Sequence, residues 1–167
     1  WIPDFAKGVF ALAEKKIGAL IIIERDDRVQ EFITEGQALE GTPGHELIMS
    51  IFQKESPLHD GAVLIQRGRI TRVACYLPLT SEEGLPSQWG TRHRAALGLA
   101  DRCDACVAVV SEERGEDALA REKQMTRVKD AQHLIELIKE LTASRTASGK
   151  TRFERLKFSI TSRWRMK

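Results

Sequence analysis

The chain has 167 residues, 42% of them hydrophobic and 30% charged, which suits one soluble globular domain and excludes disordered, collagen-like and disulfide-framework proteins. Its 26 basic and 24 acidic residues nearly balance, but eight basic residues and one acid fall in Ser144–Lys167, so a tail of net +7 follows a body of net −5. No apolar run approaches the roughly 20 residues that span a bilayer, no secretory leader is visible, and a chain opening on Trp1 reads as a piece cut from a longer one.

The first predicted element is a helix over Pro3–Ile17. Pro3 and Asp4 stand at its start, Phe5, Val9, Leu12, Ala13 and Ile17 recur at helical spacing, and Gly18 is expected to end it. Ala19–Glu24 is a continuous Ile-rich run of strand length, which points to a strand buried on both faces. A second helix is expected over Gly44–Gln53, with Leu47, Ile48, Ile51 and Phe52 on one face. Ala62–Gln66 and Ile70–Leu77 read as strands joined by a hairpin at Arg67-Gly68-Arg69. A Pro/Gly/Ser-rich loop covers Pro78–Gly90, a helix over Arg92–Ala100 begins at Thr91, and Ala105–Val110 is another buried strand. Asp130 caps an amphipathic helix whose apolar face carries Leu134, Ile138 and Leu141. Buried strands interleaved with helices predict an α/β layer fold: a mixed central sheet, because of the hairpin, with helices on both faces. The division expected is one folded domain over 1–143 and a basic extension over 144–167.

Cys75, Cys103 and Cys106 cannot all pair and fit a reducing compartment. Cys103-x-x-Cys106 has no second ligand pair for zinc, and Cys106 lies in an apolar run, so packed thiols are expected.

Three stretches carry candidate chemistry. In Pro57-Leu58-His59-Asp60-Gly61-Ala62, at a strand entrance, Asp60 and Gly61 make either a plain turn or a carboxylate beside a close backbone approach, with His59 able to offer a nitrogen to a metal. Gly90-Thr91-Arg92-His93-Arg94 opens a helix with cationic side chains where the helix dipole disfavours them. An anion docked there resolves the conflict, since free N–H groups, the Thr91 hydroxyl and the guanidinium forks suit a phosphate chain; the alternative is an unliganded surface cluster. Ser111-Glu112-Glu113 follows a buried strand, where carboxylates can hold a hard cation or simply form a solvated turn. Together they form a kit for metal-assisted phosphoryl or nucleotidyl transfer. The chain lacks a P-loop, a G-x-G-x-x-G fingerprint and a G-x-S-x-G elbow.

With Asp60-Gly61-Ala62 and Arg92-His93-Arg94 both in place, the sequence resembles the bacterial diadenylate cyclase domain. Gly18-Ala19-Leu20, Pro57-Leu58-His59, Ala74–Leu79, Gly90–Gly98 and Val109–Glu113 extend the likeness over roughly Phe5–Gln124. The nearest class is the membrane-anchored one, whose catalytic domain follows transmembrane helices. The resemblance implies the diadenylate cyclase fold, a cytoplasmic location with a membrane anchor upstream, and condensation of two ATP to cyclic di-AMP with release of two pyrophosphates. It implies two domains face to face as a homodimer, and Mn²⁺ or Mg²⁺, with Co²⁺ a further candidate. The roles carried over are catalytic for Asp60, Arg92, His93 and Arg94; ATP-binding for Gly61, Ala62, Tyr76, Leu77, Thr91, Ser111 and Glu113; and metal-binding for Asp60, His59 and Glu113. Tyr76, the only tyrosine, either stacks on adenine or packs as an ordinary strand residue. A nucleotide sensor without activity is the alternative to the enzyme. The tail, with Phe153, Leu156, Phe158, Ile160 and Trp164 among its basic residues, reads as an accessory helix, a membrane-surface segment, a weak nucleic-acid contact or a surface extension. No nucleic-acid partner is expected.

Overall fold

The structure, a computed structural model, describes residues 1–143; the extension expected over 144–167 lies outside them. Helix α1 (Ile2–Glu14) leads into β1 (Ala19–Ile23), a short 3₁₀ turn at Val29–Glu31 and β2 (Thr34–Gly41). Then come α2 (His45–Phe52), the hairpin β3 (Ala62–Gln66) and β4 (Arg69–Tyr76), α3 (Thr91–Ala100), β5 (Cys106–Val110), β6 (Asp117–Arg121), β7 (Gln124–Arg127) and α4 (Ala131–Ala143). The seven strands form one sheet in the order β2-β4-β3-β1-β5-β6-β7. Only β1 and β3 run parallel; every other neighbouring pair is antiparallel, so the sheet is mixed as expected.

Alternation along β1 divides the core. Ala19, Ile21 and Ile23 join Phe5, Leu12, Ile48, Phe52, Leu134 and Ile138 in a layer under α1, α2 and α4. Leu20 and Ile22 face the other way, with Leu64, Val107, Val109 and the buried run of α3 from Ala95 to Ala100. All five β1 residues are buried, and each fully buried Ile or Leu side chain contributes about 1.5–3 kcal/mol. The buried part of α3 can sit close because alanines and Gly98 stand among its two leucines. At Gly98 a Cβ would collide with the Pro78 carbonyl oxygen and lie 2.7 Å from Leu79 C and Thr80 N. The loop after β4 is therefore laid directly on the helix, and Thr80 N–H donates to the Arg94 carbonyl at 3.1 Å.

One expectation needs correction, and three strands join those expected. Helix α1 stops at Glu14, not at Ile17: Lys16 adopts φ 52°, its N–H reaches the Ala13 carbonyl at 3.0 Å and Ile17 N–H reaches the Leu12 carbonyl at 2.9 Å. That is a Schellman closure with lysine in the position usually given to glycine, so Gly18 does not end the helix. The edge strand β2, and β6 and β7 beyond β5, form where the sequence shows no apolar run or alternation. The remaining elements stand within a few residues of expectation. Asp130 caps α4, its Oδ1 accepting from His133 N–H at 2.8 Å.

Candidate active site

Because β1 and β3 are parallel while β4 and β5 oppose them, the starts of β1 and β3 share one end of the sheet with the ends of β4 and β5. The register puts Ile21 beside Val63 and Ala19 beside Val110, so Asp60, Gly18 and Ser111 lie just past the paired rows of three adjacent strands. Two strand spacings, about 10 Å, separate the entrance of β3 from the exit of β5. Tyr76 and Leu77 leave β4 at the same end, and α3 begins there. All three chemical stretches thus converge, although Asp60 and Glu113 are 53 positions apart in the numbering.

Gly61 has φ 107°, and a Cβ on it would lie 2.8–3.0 Å from the backbone of Ala74 and Cys75. The space at this glycine is taken up by the chain's own β4, which bulges here with Ala74 at φ 52°. That contact fixes how the chain turns from Asp60 into the buried Ala62. Asp60 is exposed, while His59 is half-buried and its Nδ1 stands 2.6 Å from the Ser56 carbonyl. A carbonyl only accepts, so Nδ1–H donates to it, and the contact fixes the orientation of the ring.

At α3 the cap residue is Gly90, with no side-chain cap and no acid in the first turn. The first N–H groups therefore remain available to an anion. Thr91, Arg92 and His93 line a cavity of about 80 Å³ with Gln88, Ser111, Glu112 and Glu113. Arg92 pairs with Glu112 at 3.0 Å. His93 stacks on Trp89, rings 5.8 Å apart and 9° from parallel. Burial, seconded by the Arg114 charge, lowers its pKa against the opposing pull of Glu113 and Glu116, so the imidazole is neutral at neutral pH and can donate without adding charge. The loop that carries Ser111 is tied down: Ser111 N–H donates to Glu116 O at 2.9 Å and Gly115 N–H to Ser111 O at 2.8 Å. Arg94 and Tyr76 are exposed, and Leu77 packs against the α3-side core.

Gln88, Trp89 and Arg114 border this site with no motif in the sequence to mark them, and Gly18, expected to end the first helix, lies against Arg92 and Glu112. The first two sit in a loop read only as Pro/Gly/Ser-rich; an aromatic beside a helix start was the available signal. Among the described residues no group of three His, Cys, Asp or Glu side chains could hold a metal ion. A larger open groove of about 850 Å³ lies at the opposite end of the sheet, lined by Glu24, Arg28, Arg67 and Arg69 among others. It contains none of the signature residues, so chemistry rather than size identifies the site.

Residues 6–125 match the family described as DisA bacterial checkpoint controller nucleotide-binding, abbreviated DAC. The chain belongs to the DAC family. It is 47% identical over 119 residues to the cyclic di-AMP synthase CdaS of Bacillus subtilis, covering 71% of this chain and 57% of that protein. It is 37% identical over 165 residues to the diadenylate cyclase of Listeria monocytogenes, covering 98% of this chain and 57% of that one. The chain thus spans little more than half the length of these relatives. Among solved structures, DacA from Staphylococcus aureus superposes with a TM-score of 0.79 at 36% identity, covering 84% of this chain and 93% of that chain. The mixed seven-stranded sheet is therefore the DAC architecture, and its converged end carries Asp60-Gly61-Ala62 and Arg92-His93-Arg94. Among the described residues no helix is long and apolar enough to cross a membrane.

Proposed function

We propose that this chain is the catalytic domain of a diadenylate cyclase, condensing two ATP into cyclic di-AMP and two pyrophosphates. The observation that carries the reading is the convergence, in a DAC chain, of Asp60, the α3 start and Ser111–Glu113 on one end of the sheet. Each 3′-hydroxyl attacks the α-phosphate of the other ATP; an O–P bond forms, the bond to the β-phosphate oxygen breaks, and pyrophosphate leaves.

The cavity at α3 is too small for a nucleotide, since pockets that enclose drug-sized ligands run to about 300–1,000 Å³. It suits the phosphate end, held by Thr91, Arg92, Arg94, Ser111 and the free N–H groups. Adenosine then lies on the exposed surface by Tyr76, where its ring can stack on the base. A second domain facing the first covers that surface and brings the second ATP in line, which supports a homodimer. Asp60 takes the proton from the attacking hydroxyl, and neutral His93 donates a hydrogen bond to the departing pyrophosphate.

His59, Asp60 and Glu113 are the donors that would hold a divalent cation, Mn²⁺, Mg²⁺ or Co²⁺; among the described residues no group of three such side chains could hold the ion alone, so phosphate oxygens are needed to complete its shell. When bound, such an ion neutralises phosphate charge and makes the hydroxyl more acidic. ATP as substrate and three free cysteines fit the cytoplasm.

The test is incubation of a concentrated, folded sample with ATP and Mn²⁺ or Mg²⁺, with chromatography for the cyclic dinucleotide. Asp60→Asn should lower turnover by about 100-fold or more while leaving the fold intact. ATP binding without product would instead support the sensor, and full activity in Asp60→Asn would remove that residue from the mechanism.

A further inference from the structure

The Schellman closure of α1 leaves Gly18 without a conformational task. Lys16 takes the left-handed position, and Gly18 is not among the glycines with positive φ. Yet Gly18 is buried, and the space left by its missing side chain is filled. A Cβ there would lie 2.7 Å from both Cζ and one terminal nitrogen of Arg92, and 3.0 Å from Oε2 of Glu112. Alanine fits the backbone at this position but not the space. To regain ordinary contact the guanidinium would have to retreat by roughly 1 Å. The atoms met belong to the tips of two flexible side chains, so the fold can yield at little cost while the site cannot.

We propose that Gly18 is a positioning residue of the nucleotide site: the bare backbone at the start of β1 is the seat that sets the Arg92 guanidinium between Asp60 and the Ser111–Glu113 loop. The inference rests on the ATP-condensing reading and deepens it. The Arg92–Glu112 pair is partly exposed and is by itself a weak restraint. The seat fixes the height and tilt of a planar fork whose bidentate hold on phosphate depends on orientation. Gly18 touches no substrate and acts through Arg92.

Wild type, Gly18→Ala, Arg92→Ala and the double variant are compared for affinity toward ATP with Mg²⁺ by titration calorimetry, with thermal unfolding read on the same samples. Gly18→Ala should unfold close to the wild-type temperature and bind ATP about tenfold more weakly, since a misplacement of about 1 Å can cost up to about 100-fold. In the Arg92→Ala background the same change should alter affinity by less than about twofold, because the two residues act as one unit. Wild-type affinity in Gly18→Ala, an equal loss with and without Arg92, or failure of Gly18→Ala to fold would each overturn the inference. Product formation by wild type is scored separately: ATP binding without product defeats the cyclase reading and leaves the seat standing, whereas no ATP binding at all overturns both.

Discussion

Asp117 opens β6 opposite Val110, next to the loop that carries Ser111 and Glu113. It is 5% exposed, and its Oδ1 has no hydrogen-bond partner among the described residues. Burial raises its pKa from 3.8 to about 7. Between those values the folded chain holds a proton that the unfolded chain has lost, so stability falls as pH rises through the window. The ionisation cost is about 1.5 kcal/mol at pH 5 and about 4 kcal/mol at pH 8. Asn matches the shape of the protonated acid and does not titrate. Asp117→Asn should therefore gain on wild type by about 2.5 kcal/mol between pH 5 and pH 8. Urea unfolding of both proteins at the two pH values, followed by tryptophan fluorescence, measures the difference, and the other carboxylates cancel in the comparison. A gap that does not change with pH would mean that Asp117 is solvated or paired in solution, and the reasoning fails.

Two further predictions concern packing. Gly98→Ala drives a methyl group into the Pro78–Thr80 backbone; it should cost about 1–3 kcal/mol and weaken ATP binding together with stability, because α3 carries Thr91 to Arg94. Wild-type stability in that variant, measured by thermal unfolding, would contradict the close approach. The thiols of Cys75 and Cys106 are buried and pushed up to about 11 and about 12 by desolvation, and Cys103 is buried too. Native protein should therefore show no rapid thiol in an alkylation assay at pH 8, and fast labelling of any of the three would reopen a redox role for the Cys103/Cys106 pair.

The sequence made some features plain and hid others for identifiable reasons. β1, β3 and β5 were legible because a strand buried on both faces leaves an unbroken apolar run. β2 was not: it is a half-exposed edge strand, interrupted by Gly36 and a register shift near Ala38, so neither a run nor a clean alternation survives. β6 and β7 are joined by Glu122 and Lys123 at φ 48° and 65°, left-handed positions that Asn-Gly normally announces. Two charged residues there look like ordinary surface. At the site, Arg92 to Arg94 stand out because cations are awkward in the first turn of a helix, whereas Asp60-Gly61 reads equally well as a plain turn and is marked only by the family resemblance. The seat at Gly18 does not stand out, because a glycine after a helix has an obvious explanation, and only the lysine at φ 52° shows that explanation to be wrong here.

The place of β1 at the centre of the sheet has a kinetic consequence. Ile21 pairs with Val63 on one side and with Ala108 on the other, partners 42 and 87 positions along the chain. Loops of that length must close before either pairing returns any stabilisation, and such non-local contacts form slowly. The β3–β4 hairpin, holding Asp60 and Tyr76, can form locally, but Ser111 and Glu113 reach it only after β5 has docked along β1. This end of the sheet therefore has no local existence: a nascent chain brings Asp60 and Ser111–Glu113 together only once the β5 segment has been made and docked.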